Sequence, residues 1–387
     1  MFRSFFFAGF ECAIGYNAHG QWIDQVAATH HDRHAEEDYR RLAEVGIHAA
    51  REAIRWPLVD RNGAYDFSSV RPFVEASRKY NIEVIWDLFH YGYPEGLDPF
   101  RGEFTRRFAG YCRAAAEFIG GSQAGPCYFT PVNEPSFLAW AAGEVGRFAP
   151  HCRGKAMELK VALVRAALEG INAIWSVLPS ARIVNVDPLC HVHMPPDRPD
   201  LAEETRRFNE SVVFESWDML GGKLRPELGG SRKHLDIIGI NYYWTNQWEL
   251  GRDERPLSDE DARRVALRDL VRQVWQRYGG DLLIAETAHV DDMRPVWLKY
   301  VADEAEALLE EGVPLRGVCL YPILGMPEWH AQHQWTLMGL WDVVHGQPSF
   351  GREPCLPMLE ALRTAQRLDL KIGGITAGAV APLARPG

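Results

Sequence analysis

One feature constrains this chain more than any other: a regular alternation of two kinds of segment. Short apolar stretches that read as strands cover 5–12, 48–56, 83–89, 127–132, 182–186, 235–243, 282–285 and 315–321. Each is followed by a longer stretch with helical periodicity, over 34–45, 70–80, 104–119, 155–177, 203–220, 259–278, 295–309 and 357–368. The strand segments are rich in Ile, Val and Phe, as expected of parallel strands covered on both faces. Eight such units in 387 residues, with no linker, repeat or change of composition between them, predict an α/β protein: a single (β/α)8 TIM barrel over residues 1–372. The rival, an open doubly wound sheet, lacks its usual marker, because no GxGxxG follows the first strand. The last stretch, GGITAGAVAPLARPG over 373–387, is small-residue and Pro-rich and reads as a flexible C-terminal tail.

Composition narrows the partners. A formal net charge of −10 argues against nucleic acid. No run approaches the ~20 uninterrupted apolar residues of a membrane helix. The apolar run near the N-terminus is short, broken by Gly9 and Glu11, and has no small-residue cleavage site after it, so it reads as a buried first strand. The seven cysteines are odd in number, scattered and without a CxxC pair, which fits a reduced, cytoplasmic protein.

A barrel of this kind carries its chemistry at the C-terminal ends of its strands. Two acids stand there. Strand four runs CYFTPVNEP and ends on Glu134, and strand seven runs LLIAETA with Glu286 after four apolar or small residues. A carboxylate at the end of an apolar strand is costly unless it is used or paired. Two of them across one barrel mouth are what glycoside hydrolysis needs, one to protonate the leaving oxygen and one to attack the anomeric carbon. The configuration is retained if the carboxyl groups lie ~5–5.5 Å apart.

Around these acids the chain resembles the glycoside hydrolase family 1 β-glucosidases and β-galactosidases, a retaining family built on (β/α)8 barrels. HDRHAEEDYRRLAEVGIHAAREAIRWP looks like that family's first helix and second strand, and FHYGYPEGL resembles its YHWDLP. TPVNEP resembles TFNEP, LDIIGINYYW resembles DFIGLNYYT, IAETA resembles ITENG, and GVCLYPILGMPEW resembles GYFVWSLLDNFEW. The six motifs occur in the right order, each at an expected strand end.

The resemblance implies a retaining β-glycosidase acting on an unphosphorylated β-glycoside by double displacement, with no cofactor and no metal. Glu134 is then the general acid/base and Glu286 the nucleophile. Asn133 would bond the sugar 2-hydroxyl, Arg51 would sit beside the nucleophile, and Tyr243 would give it a hydroxyl. Asn241 lies on the same face as Tyr243 at spacing two. His90, Glu328 and Trp329 would contact the sugar, and Tyr321 stands where the family has a tryptophan platform. Trp140, Trp244, Trp248 and Trp335 are candidate groove walls. A sugar-binding barrel without turnover, or a transglycosidase using the same carboxylates, are the alternatives.

The chain departs from the family in places. The first-strand YQIEG signature is missing, and Glu11 and Asn17 are the polar residues available for its sugar contact. Thr287 and Ala288 follow Glu286 in place of Asn and Gly, and Arg55 stands where a small polar residue is usual. AQHQWTLMG lacks the Ser and Lys of the phospho-sugar branch. The shorter chain implies trimmed loops and a more open groove. A competing metal reading rests on His191 and His193, an H-x-H after strand five with Asp187 nearby. Metal-dependent barrel hydrolases usually carry that motif on strand one, which has none here. His30, His31 and His34 open the first helix, where solvated or capping roles are common.

Overall fold

The computed structural model describes residues 2–123, 125–252, 255–346 and 349–368. The tail over 373–387 lies outside the described residues. Eight parallel strands close into one barrel: β1 (Phe6–Gly9), β2 (Ala49–Ala53), β3 (Glu83–Asp87), β4 (Tyr128–Thr130), β5 (Arg182–Pro188), β6 (Ile237–Asn241), β7 (Asp281–Thr287) and β8 (Leu315–Leu320). Each strand pairs with its neighbours in sequence. The ring closes where β8 returns to β1, with Phe6 opposite Val318, and β1 pairs on with β2, with Ala8 opposite Ala50. The single (β/α)8 barrel read from the sequence is the architecture observed.

The strands are buried almost throughout because helices cover the outside. These are α1 (His31–Glu44), α2 (Arg71–Lys79), α3 (Gly102–Ser122), α4 (Ala156–Val177), α5 (Glu215–Leu220), α6 (Leu267–Tyr278), α7 (Arg294–Glu310) and α8 (Leu356–Ala365). In α1 the buried positions His31, Ala35, Asp38 and Leu42 recur at helical spacing and form one inward stripe. Strand alternation sorts neighbours to opposite sides. In β2, Arg51 points into the barrel mouth, while Glu52 points outward and accepts from Tyr39 Oη of α1 (3.1 Å).

Two helices differ from expectation. The helix expected over 203–220 is broken into Ala202–Glu210, a 3-10 turn at Val212–Phe214, and α5. Its first part, AEETRRFNE, has no buried residue, so it stands off the barrel, whereas α5 buries Trp217, Met219 and Leu220. The helix expected over 259–278 starts only at Leu267. Upstream, the Asp261 carboxylate accepts from the Arg263 backbone N–H (3.0 Å) and holds a turn that competes with helix.

Candidate active site

The barrel mouth is organised by Arg51, which is fully buried. Its Nη2 donates to Asp87 Oδ2 (2.6 Å) and to Asn133 Oδ1 (3.0 Å), and its Nη1 donates to Glu286 Oε1 (2.7 Å) and the Ala285 carbonyl (3.0 Å). Asn133 must turn its oxygen to the guanidinium, so its Nδ2 faces His90 Nε2 (3.1 Å). That nitrogen accepts, and the His90 hydrogen sits on Nδ1, donated to Asp87 Oδ2 (3.1 Å). Arg51, Asn133, His90 and Asp87 thus form a closed ring of hydrogen bonds. The Tyr321 ring lies 5.1 Å from the guanidinium, and a Cβ on Gly9 would come within 2.0 Å of Tyr321 Cδ2, so glycine is what lets this ring pack over the end of β1.

Glu286 receives a donor on each oxygen: Arg51 on Oε1, and the Tyr243 hydroxyl on Oε2 (2.8 Å). One of these donors is a cation, so that hydrogen bond is charge-assisted. The β6–β7 ladder slips by one residue here, so that Asn241 pairs with Glu286 rather than with Ala285. Tyr242 turns the other way and packs on Trp297, which leaves Tyr243 to face the mouth.

Glu134 is built differently. Consecutive residues of an extended strand face opposite ways, yet Asn133 and Glu134 both face the site. The chain manages this by leaving the strand after Thr130 and placing Glu134 in the left-handed region (φ 47°, ψ 60°), at a cost of about 1–2 kcal/mol. Pro135 then opens a short helix, Pro135–Leu138, whose first turn is pinned by Asp187. Its Oδ1 accepts from the Ser136 N–H (3.0 Å) and its Oδ2 from the Ser136 hydroxyl (2.7 Å). The Glu134 carboxyl accepts from Asn241 Nδ2 on Oε1 (2.9 Å) and from the Tyr91 hydroxyl on Oε2 (2.7 Å). Burial, and next the charge of Glu286, push its pKa up to about 8, against those two hydrogen bonds.

The structure therefore brings together Arg51, His90, Asn133, Glu134, Asn241, Tyr243, Glu286 and Tyr321. The remaining two, Glu328 and Trp329, share no side-chain hydrogen bond with these eight among the described residues, though Trp329 packs on Tyr91, which bonds Glu134. Glu328 is exposed and accepts from the Thr336 hydroxyl across a hairpin. Trp329 is half-buried and packs edge-on against Tyr91 and Phe148 and at a tilt against Phe137. Tyr321 is 1% exposed, so its ring supports Arg51 and does not offer an open face. Of the candidate groove walls, Trp140 lies tilted against Phe137 and Trp244 stacks on His289, while Trp248 and Trp335 pack on Phe208 and His345.

Several polar residues have other work. Asn17 donates to the Trp329 carbonyl and accepts from the His19 and Gln21 N–H groups, so it holds a turn. Arg55 pairs with Asp24, and Thr287 accepts from Trp297 Nε1. His31 is not solvated as expected. It lies buried between Asp38 and Glu52, because the first turn of α1 is covered by Phe10 and Phe73.

Asp87 and Tyr91, which the sequence does not single out, belong to the site, and Glu11, weighed only for the missing first-strand contact, lies beside them. Asp87 ends an apolar strand just as Glu286 does, and that signal was available. The reach of Tyr91 depends on a positive φ of 76°, which a tyrosine does not advertise.

A metal has little to hold it. The rings of His191 and His193 lie 4.9 Å apart, but Asp187 is spent on Ser136, and the two histidines face Asn209 and Gln247. Among the described residues, Cys12, Asp87 and His90 are the one group of three possible ligand atoms. Burial pushes the Cys12 thiol well up, and the Arg51 guanidinium, 2.6 Å from Asp87, repels a cation.

An eight-stranded barrel with two differently held carboxyl groups at its mouth is the kind of scaffold on which glycosidases are built. Comparison with known proteins agrees. No family model matches the chain. It is 26% identical over 315 residues to a β-galactosidase of Sulfolobus acidocaldarius, covering 68% of this chain and 62% of that protein. It is 28% identical to human Klotho over 125 residues, 30% of this chain and 12% of that one. The fold superposes on the family 1 β-glucosidase of Thermotoga maritima with a TM-score of 0.73 at 16% identity, over 94% of this chain and 97% of that one. The same enzyme in complex with castanospermine gives 0.74 at 16% identity, over 94% and 97%. The chain is thus a distant relative of β-glycosidases, and it spans about 62% of the length of the β-galactosidase it matches.

Proposed function

We propose that this protein is a retaining β-glycosidase acting on an unphosphorylated β-glycoside. The observation that carries the reading is the unequal treatment of two acids at one barrel mouth. Glu286 is clamped by Arg51 and Tyr243, while Glu134 is buried and pushed up to about 8. Environments that drive two carboxyl groups apart assign the roles of base-like nucleophile and proton donor.

In the first step a Glu286 oxygen bonds to the anomeric carbon as the bond from that carbon to the leaving oxygen breaks. The Glu134 proton passes to that oxygen, which departs as an alcohol. Losing its proton beside Glu286 is eased because the Glu286 charge is consumed in the new ester. In the second step water attacks the same carbon, returns a proton to Glu134 and releases Glu286 as a carboxylate. Two inversions give net retention. Asn133, locked between Arg51 and His90, is the residue for the sugar 2-hydroxyl. Asn241 steadies Glu134, and no cofactor takes part in either step. The seven unpaired cysteines support a reducing, cytoplasmic setting.

The test is Glu286→Gly. The variant should lose nearly all turnover of an aryl β-glycoside. Added azide should restore it by forming a glycosyl azide of inverted configuration. Near-normal turnover without azide would remove Glu286 from the reaction. NMR of the first sugar anomer released by the unaltered protein reads retention directly.

A further inference from the structure

Glu11 lies two residues beyond β1 and is 7% exposed, so its carboxyl is part of the wall of the barrel mouth. Its Oε1 accepts from the Ala13 N–H (2.9 Å) and from the Tyr321 hydroxyl (3.4 Å). Its Oε2 has no hydrogen-bond partner among the described residues. The mechanism above makes no use of it.

The charges around it do not balance. Arg51 is shared between Asp87 and Glu286. The nearest basic group, His90 Nε2 at 3.7 Å, is occupied in accepting from Asn133 and has no hydrogen to give while the ring of hydrogen bonds stands. Three carboxylates, Glu11, Asp87 and Glu286, thus share Arg51 and at most the nearby His90, so no cation is hydrogen-bonded to Glu11. It sits close enough to Glu286, Tyr91 and Tyr243 for its charge to be felt by each. Burial first, and Glu286 among the further causes, raise its pKa, while the His90 charge works against them.

A buried carboxylate is relieved by a donor that carries charge. A sugar hydroxyl brings one neutral O–H. An ammonium group in its place brings three N–H donors and the missing positive charge. We infer that Glu11 makes the sugar subsite selective for an amino sugar, a β-glycoside whose ring carries a free ammonium group in place of one hydroxyl. This rests on the glycosidase reading and names the substrate class of the same site.

The experiment compares methyl β-glucoside with its 2-, 3-, 4- and 6-amino-deoxy forms and their N-acetylated counterparts. Binding is measured by calorimetry at neutral pH, and hydrolysis is followed on the matching aryl glycosides. One amino form should bind the unaltered protein at least about tenfold more tightly than the glucoside, as one charge-assisted hydrogen bond implies. N-acetylation should abolish the preference. Glu11→Gln, which keeps the shape and removes the charge, should lower the amino-to-hydroxyl ratio at least tenfold. An unaltered protein that prefers no amino form overturns the inference even if the variant fails to fold. A preference that survives Glu11→Gln overturns it too. The two proposals fail separately: hydrolysis of neutral glycosides without amine preference sinks only this one, and amine-selective binding with no hydrolysis sinks only the glycosidase.

Discussion

Tyr91 donates its hydroxyl hydrogen to Glu134 Oε2 at 2.7 Å, from a backbone held at φ 76°. Such a conformation costs a non-glycine residue about 1–3 kcal/mol and persists only where its surroundings enforce it. Here the surroundings are Phe137, Phe148 and Trp329, which pack about the Tyr91 ring. The hydroxyl stands on the oxygen opposite the one bonded by Asn241. Tyr91 is thus a brake on the Glu134 pKa.

Removing that hydroxyl has a definite sign. The bond from Tyr91 favours ionised Glu134, so Tyr91→Phe should raise a pKa that already stands at about 8. The acid must be protonated to work, so the basic limb of kcat/KM against pH should move up. A shift of about one unit is expected from losing a hydrogen bond of ~1.5 kcal/mol to a carboxylate. A pH–rate profile for an alkyl glycoside reads it. An unmoved limb would separate Tyr91 from proton transfer.

Glu134→Ala should discriminate between leaving groups. Glycosides with poor leaving groups need the proton and should slow by ~10²–10⁴-fold in the glycosylation step. Dinitrophenyl glycosides depart unaided and should scarcely slow in that step. The variant should also lose the basic limb of its pH profile. Pre-steady-state kinetics on the two substrate types decide the matter, and equal slowing of both would count against Glu134 as the acid.

How much of this was legible in the sequence depends on the kind of fact. Strand ends were legible because an acid after an apolar run stands out, and Glu134 and Glu286 were found that way. Asp87 obeyed the same rule inside VIWDLF and was overshadowed by His90 three residues on. Pairings across the barrel were not legible. That Asn133 faces both Arg51 and His90 depends on the exit from β4 and the left-handed turn at Glu134. The break between Ala202–Glu210 and α5 was written in the charge of the first part, which the length of the helical pattern concealed.

Asp187 holds the turn that aims Glu134, through both hydrogen bonds to Ser136. Asp187→Ala would leave the half-buried Ser136 N–H without its acceptor, at a cost of about 1 kcal/mol. If Asp187 is a positioning residue, kcat on poor leaving groups should fall while the rate on dinitrophenyl glycosides holds, a milder copy of Glu134→Ala. A uniform loss on both substrates would mark a purely structural role. Thermal melting gives the stability change independently.

On the other side of β2, His31 lies between Asp38 (2.9 Å) and Glu52 (2.8 Å), and Arg352 also pairs with Asp38 (2.7 Å). Burial alone would lower the His31 pKa, but Glu52 and Asp38 outweigh it and leave it above its ordinary 6.5. Burial likewise works to raise Asp38, and Arg352 and His31 hold it down at about 2, below its ordinary 3.8. A raised histidine stabilises the fold fully below its unfolded pKa, and that stability is lost as pH rises through the folded value. A depressed aspartate stabilises above its unfolded pKa, and that stability is lost as pH falls through the folded value. The cluster should therefore contribute most between about pH 4 and 6.5. His31→Gln should destabilise the protein by roughly 3–5 kcal/mol there, because it removes the charge that lies between two buried acids. It should also flatten the fall of Tm on the alkaline side. Melting curves from pH 4 to 9 test both, and a variant that keeps the alkaline fall would show that another group titrates there.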